Sequence, residues 1–264
     1  MHSRRPAGPL SRNSVCSVGN SPGSIGFCSL ISTIQPVADG HDNPTRAAAI
    51  PATVDPSNLQ DSLGNRMNHL AHIVLAGPDP DDRLGALLGD HVKGIAAVDA
   101  LSPGLARGVR LHRRIDAWSD SHPAVIDLRA SSGPEWRRYS GVILDVLFDA
   151  MLVRNWDTWQ DVALDDFARG IDEMLADRRA ELPPRLARFA VWACRTGLWT
   201  RYDDREMLDE IFARLAIRHG RPSPLKAGTR LLDRLEPEIE RTFEELFPWL
   251  RRRAEDFLAD PERR

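Results

Sequence analysis

The stretch Asp81-Asp82-Arg83-Leu84-Gly85-Ala86-Leu87-Leu88-Gly89-Asp90-His91-Val92-Lys93-Gly94-Ile95 decides the fold. Leu84, Leu87, Leu88, Val92 and Ile95 recur at i, i+3 and i+4 spacing, so residues 81–98 read as one amphipathic helix. Gly85 and Gly89 interrupt that pattern, and each costs about 1 kcal/mol in a helix interior relative to alanine. A sequence carries that cost where another backbone or a ligand comes close. Asp90 follows at once, an acid among positions that should pack inward. An unpaired charge there would cost several kcal/mol, so Asp90 needs a partner.

Helical periodicity continues beyond this stretch. Ser102-Pro103 marks a helix start that runs through Val109, Leu111, Ile115 and Trp118. His122-Pro123 begins a short helix that stops by Gly133. A long helix is expected over residues 136–156, apolar at Val142, Ile143, Val146, Leu147, Met151 and Leu152. Further helices are expected at 164–180 (capped by Asp165 or Asp166), 184–198, 203–218 (capped by Asp203 or Asp204), 225–246 and 248–258. The one strand-like run is the short 71–75 segment, and there is no internal repeat. The expected fold is all-α, a single helical domain over residues 67–264.

Residues 1–66 read differently. They are rich in Ser, Pro, Gly, Asn and Ala and contain no Trp, Tyr or Glu, whereas all seven Trp lie after residue 117. Such a segment buries too little apolar surface to offset chain entropy. Arg4, Arg5 and Arg12 among serines invite a targeting peptide, but the apolar core of about 7–15 residues that secretion needs is missing. The expectation is a disordered extension, or upstream sequence read from a start codon set too early, with Met67 the natural start.

Of the 264 residues, 42% are hydrophobic and 28% charged, a globular composition, and no apolar run approaches the roughly 20 residues that span a bilayer. Cys16, Cys28 and Cys194 offer neither a disulfide framework nor paired zinc spacing, so a reducing, cytoplasmic setting is expected. The formal net charge of −3 lacks the basic footprint of a nucleic-acid binder. The oligomeric state is left open.

Several ionisable residues sit inside apolar helical patterns. His112 and Asp116 share a helix face one turn apart, and Asp145 and Asp149 repeat that geometry on the long helix. His72 follows Leu70 on a short apolar segment. Facing pairs of this kind gather metal ligands in a helical core, and nitrogen and oxygen donors without thiolate suit Mn²⁺, Mg²⁺ or Fe²⁺. Each residue taken singly also has a plain reading: His112 as a satisfied, partly buried histidine, and Asp149 as a carboxylate on a helix surface. Arg113 and Arg114 either grip a phosphate or pair on the helix surface with Asp116 or Asp120. A metal beside arginines is the equipment of phosphoester hydrolysis. No P-loop, G-x-S-x-G elbow or Cys/His nucleophile motif competes.

Taken in order, Met67-Asn68-His69-Leu70-Ala71-His72, residues 85–94, Leu111-His112-Arg113-Arg114-Ile115-Asp116 with Asp120, and residues 144–156 resemble the acyl carrier protein (ACP) phosphodiesterase family, or ACP hydrolases. Leu198-Trp199-Thr200-Arg201-Tyr202 and residues 243–250 extend the likeness, which covers about 67–255. The resemblance implies a divergent HD-phosphohydrolase-like helical bundle and a Mn²⁺-dependent enzyme. Its reaction would cleave 4′-phosphopantetheine from the serine of holo-ACP, giving apo-ACP. It implies Asp90 as a catalytic or metal-binding acid, His72, His112 and Asp116 as metal ligands, and Asp145 as a further one, with Asp149 the least weighted. His112, Arg113 and Arg114 join Asp90 as expected catalytic residues. The family's long helix can carry Asp-His-Phe-Leu and a later His-Trp. Here Asp149 precedes Ala150 and Asn155 precedes Trp156, so those histidines are not essential in this chain, and there is no adjacent His-Asp dyad.

ACPs are acidic, so their binding surface should be locally basic. The first 66 residues hold five Arg and four Asp, which leaves residues 67–264 at a net charge of −4. Steering must then come from a patch, and Arg113, Arg114, Asp120, Arg137 and Arg138 are the expected substrate contacts. Two other functions fit the same residues: an HD-type hydrolase of a nucleotide or other small phosphoester, and a non-enzymatic helical module that binds ACP.

Overall fold

Helices account for every regular element in the computed structural model, which describes residues 69–260; no strand occurs among them. The expected N-terminal extension, with Met67 and Asn68, lies outside the described residues. In chain order the α-helices are α1 (His69–Leu75), α2 (Pro80–Leu88), α3 (Ile95–Asp99), α4 (Pro103–Ser121), α5 (Pro123–Ser131), α6 (Ser140–Arg154), α7 (Trp156–Trp159), α8 (Leu164–Asp177), α9 (Pro184–Thr196), α10 (Arg205–His219) and α11 (Thr229–Ala259).

Helix α6 is the centre of the fold. Its apolar residues fall on every side rather than on one stripe, and it is buried from Ile143 to Val153. A helix of that kind must be surrounded. It packs against α1 and α11, and Phe148 joins Trp159, Phe243 and Phe247 in an aromatic cluster. The outer helices are amphipathic in the usual way, with Phe167, Ile171 and Leu175 on the inner face of α8.

Several boundaries differ from the sequence pattern, each for a local reason. The 71–75 segment is part of α1, because a run this short with only Ile73 and Val74 β-branched is as compatible with a buried helix. The stripe over 81–98 is not one helix. It stops at Leu88, and Asp90 lies in a loop of six residues, 89–94, before α3 begins. Gly94, at φ 81°, turns the chain, and Ile95 ends 77% exposed rather than in the core. Residues 134–139 form turns, so α6 starts at Ser140, and the chain breaks again at Asn155. Asp165 and Asp166 do not cap α8, whose N-cap is Ala163; they lie in its first turn, where their charge meets the positive end of the helix. Asp204 does cap α10, accepting from the Glu206 N–H at 2.8 Å. The expected break at Pro248 is absent. The kink comes instead at Leu235 (φ −129°), ahead of Pro237, which then occupies a first turn where its missing N–H costs nothing. Buried Leu246, Phe247 and Leu250 hold the helix together across Pro248.

The crossing of α2 and α4 positions the polar residues. A Cβ on Gly85 would stand 2.4 Å from the Leu105 carbonyl oxygen, and one on Gly108 would stand 2.3 Å from that of Asp82. The two backbones therefore touch. Arg107 on α4 clamps the crossing with two hydrogen bonds, 2.7 and 2.6 Å, to the buried Asp82 carboxylate. We predict that Gly85→Ala will force these helices apart and lower unfolding free energy by about 2–4 kcal/mol, measured by urea denaturation. A loss below about 0.5 kcal/mol would mean that the crossing is looser than its geometry.

Candidate active site

Three elements bring an acid-imidazole cluster together: α1 carries His72, α4 carries His112 and Asp116, and the loop after α2 carries Asp90. His72 Nε2 lies 3.3 Å from Asp116 Oδ1, and His112 Nε2 lies 3.5 Å from Asp116 Oδ2 and 3.8 Å from Asp90 Oδ1. The two imidazoles stack with centroids 4.0 Å apart. One donor atom each from His72, His112 and Asp116 falls within a 4.8 Å set. His72, His112 and Asp90 are buried, and no ring nitrogen of either histidine makes a well-formed hydrogen bond among the described residues. Buried imidazole nitrogens normally have partners. Convergent, unbonded nitrogens beside a carboxylate fit a divalent metal ion, and the donor set is oxygen and nitrogen only.

Gly89 makes this packing possible. A Cβ there would lie 2.2 Å from Cγ of His112, so the ring occupies the space that any other residue would fill. Of the two glycines in the opening stretch, Gly85 admits a backbone and Gly89 admits a site side chain.

Burial alone would lower the pKa of His112, but the carboxylates of Asp90 and Asp116 outweigh it and the net shift is upward. For Asp90, burial acts upward and is overcome by the adjacent His112, leaving its carboxyl below the usual range. His72 is pushed down, chiefly by burial and then by the neighbouring His112. The cluster thus pairs an Asp90 carboxylate that holds its charge with one imidazole that favours its proton and one that resists it.

The other expected residues have distinct placements. Asp149 is fully buried and accepts from the backbone N–H groups of Leu70, at 3.1 Å, and Ala71, at 2.8 Å. It therefore caps α1 and is not a helix-surface carboxylate. Burial pushes its carboxyl well up, against the opposing effect of those N–H donors. Asp145 is buried one turn earlier on α6, outside the three-residue donor set. Arg113 donates to the Val92 carbonyl at 2.9 Å and so braces the loop that carries Asp90, rather than pairing with Asp116 or Asp120. Asp120 pairs with Arg129 at 3.0 Å. Arg114, Arg137 and Arg138 are exposed.

His69 escaped the sequence reading of the site. It sits one turn before His72 on α1, and that i, i+3 spacing was the available signal. Its ring meets Phe189 edge-on at 4.6 Å and helps to line a cleft of about 320 Å³ with Asp90, His91, Arg185, Arg188 and Arg218.

A family model described as acyl carrier protein phosphodiesterase matches residues 67–250. The chain belongs to the acyl carrier protein phosphodiesterase family. Relatives named acyl carrier protein phosphodiesterase include one from Pectobacterium atrosepticum, 29% identical over 69% of this chain and 94% of the relative. Another, from Photorhabdus laumondii, is 28% identical over 74% of this chain and 100% of the relative. A third, from Escherichia coli O139:H28, is 29% identical over 69% and 94%. No solved structure matches the chain. All the described site residues fall within the span matched to the family.

Burial lowers the pKa of His69 to about 3. Between that value and 6.5 the unfolded chain binds the proton that the folded one refuses, so stability is full above pH 6.5 and falls as pH drops through this window. In metal-free protein, His69→Gln should therefore lose about 2 kcal/mol less than the parent between pH 7 and pH 5, at roughly 1.4 kcal/mol per unit. Equal losses in urea denaturation at the two pH values would show that His69 titrates normally.

Proposed function

We propose that this chain is a metal-dependent phosphodiesterase that removes 4′-phosphopantetheine from the serine of holo-ACP in the cytoplasm. The observation that carries this reading is the pair of buried imidazoles, His72 and His112, without well-formed hydrogen bonds and converging on half-buried Asp116, within a member of the ACP phosphodiesterase family. These three residues would hold the cation, with Asp145 a further candidate ligand. The oxygen and nitrogen donors favour Mn²⁺, Mg²⁺ or Fe²⁺ over a thiolate-seeking metal, and Mn²⁺ is our assignment. When bound, such a cation supplies Lewis acidity toward a phosphoryl oxygen and acidifies water.

The protein's own groups divide the remaining work. Asp90, ionised and buried beside His112, takes the proton of the attacking water. The water oxygen bonds to phosphorus, the bond from phosphorus to the serine oxygen breaks, and the serine oxygen takes up the proton held by Asp90 as it leaves. Arg113 positions Asp90 through its hold on Val92. Arg114, Arg137 and Arg138, exposed and cationic, are candidates for contact with the acidic carrier, and Asp120 holds Arg129 beside them.

Incubating holo-ACP with the protein and Mn²⁺ should reduce the carrier's mass by one phosphopantetheine, and a chelator should abolish the change. Asp90→Asn should lower kcat by about 10²-fold or more while melting temperature holds or rises. Mn²⁺ affinity should fall as pH is lowered through the raised titration range of His112, because proton and cation compete for one nitrogen. Intact holo-ACP under Mn²⁺, Mg²⁺ and Fe²⁺, with turnover of nucleotides in a parallel panel, would replace this reading with that of a small-phosphoester hydrolase. An Asp90 variant that merely unfolds would favour a structural polar network.

A further inference from the structure

The cleft beside the donor set has a charge arrangement that the reaction chemistry alone does not require. Its floor holds His69 and Asp90, and three arginines line it: Arg185 and Arg188 on α9 and Arg218 in the last turn of α10. Arg185 and Arg188 are three residues apart and share one helix face. Among the described residues neither makes a hydrogen bond or ion pair with a protein group. Other arginines of this chain behave differently: Arg107, Arg129, Arg178 and Arg205 each meet a carboxylate. Here cations converge on one concavity, and Asp90 is the one acid that lines it.

We propose that Arg185 and Arg188 form an anion clamp that seats the substrate's phosphodiester in this cleft, against Asp90. The proposal rests on the phosphodiesterase reading of the adjacent donor set. Guanidinium groups offer paired N–H donors that match two phosphoryl oxygens, and Arg185 and Arg188 are exposed at the cleft and open to such an anion. Asp90 belongs both to the cleft and to the cluster, its Oδ1 lying 3.8 Å from His112 Nε2, so an anion held here is delivered next to the donor set. Phe189, packed on His69 at 4.6 Å, provides an apolar wall for the aliphatic stem that follows the phosphate. His69 stays neutral at working pH, so the floor adds no cation of its own. Arg185 and Arg188 would contact the substrate phosphate directly and are distinct from the stretch Arg113-Arg114.

The test uses full-length protein loaded with Mn²⁺ and compares it with an Arg185→Ala/Arg188→Ala double variant and an Arg185→Lys/Arg188→Lys variant. Inorganic phosphate is the binding probe, read by calorimetry, and KM and kcat are measured on holo-ACP. The alanine variant should bind phosphate about tenfold more weakly and raise KM by a similar factor, with a smaller change in kcat. The lysine variant should recover part of the phosphate affinity, and it serves as the readout should the alanine variant fold poorly. Phosphate affinity and KM both within about twofold of the parent, at unchanged melting temperature, would overturn the clamp. Equal weakening toward apo-ACP and holo-ACP would also overturn it, because the arginines would then be reading the carrier's acidic surface. The two readings fail separately. A parent that cleaves holo-ACP with no loss in the variants removes the clamp alone. A parent that never releases phosphopantetheine, yet binds phosphate through these arginines, removes the reaction alone.

Discussion

Two missing side chains, one on α2 and one at its C-cap, bring the site together. At Gly85 a Cβ would collide with the Leu105 carbonyl, and at Gly89 it would collide with the ring of His112. The first absence lets α2 and α4 touch backbone to backbone. The second lets the His112 imidazole tuck under the end of α2, beside Asp90. The spacing of four between these glycines places both contacts on the same side of the helix. A packing constraint and a chemical one are thus met by a single short stretch, and neither glycine can change without moving the other's partner.

Once α2 and α4 are fixed, the cluster still needs α1. That helix is only seven residues long, too short to hold itself in place. Asp149 supplies the anchor from the central helix by taking two of its unpaired N–H groups. Burying a carboxylate in α6 is costly, and Tyr202, whose hydroxyl burial and Asp149 push upward in pKa, lies against the same group. The arrangement is worthwhile because α1 presents His69 and His72 to the cluster from one face. Asp149 therefore serves the site without being among the residues that form its donor set.

Much of this was legible from the chain. The helical class followed from period, and the pairing of His112 with Asp116 followed from their spacing of four. The need for a partner at Asp90 followed from its apolar neighbours. What periodicity could not give was the break after Leu88. Leu84, Leu87, Leu88, Val92 and Ile95 fit a continuous stripe, yet the loop at 89–94 throws Ile95 outward. A hydrophobic pattern records which residues can face a core and is blind to a turn that re-aims them. Asp149 illustrates the same limit from the other side. Its spacing to Asp145 reads as a ligand pair, whereas tertiary structure gives it the end of a helix that is distant in sequence. Arg185 and Arg188 carried no motif at all. Their significance appears only once α9 is folded against the loop of Asp90.

The charge balance gains a different meaning at this scale. Over residues 67–264 the chain is net acidic, which argues against long-range attraction of an acidic carrier. At physiological ionic strength the Debye length is about 8 Å, so a partner approaching the surface senses a patch rather than a total. About a third of the acids are held in local pairs with arginine, such as Arg107 with Asp82 and Arg129 with Asp120. Those pairs cancel within a few ångströms and project little field. Among the described residues Arg185 and Arg188 make no such pair, and they line a cleft that reaches Asp90. A net-acidic domain can therefore present a local cationic mouth, and it does so beside Asp90.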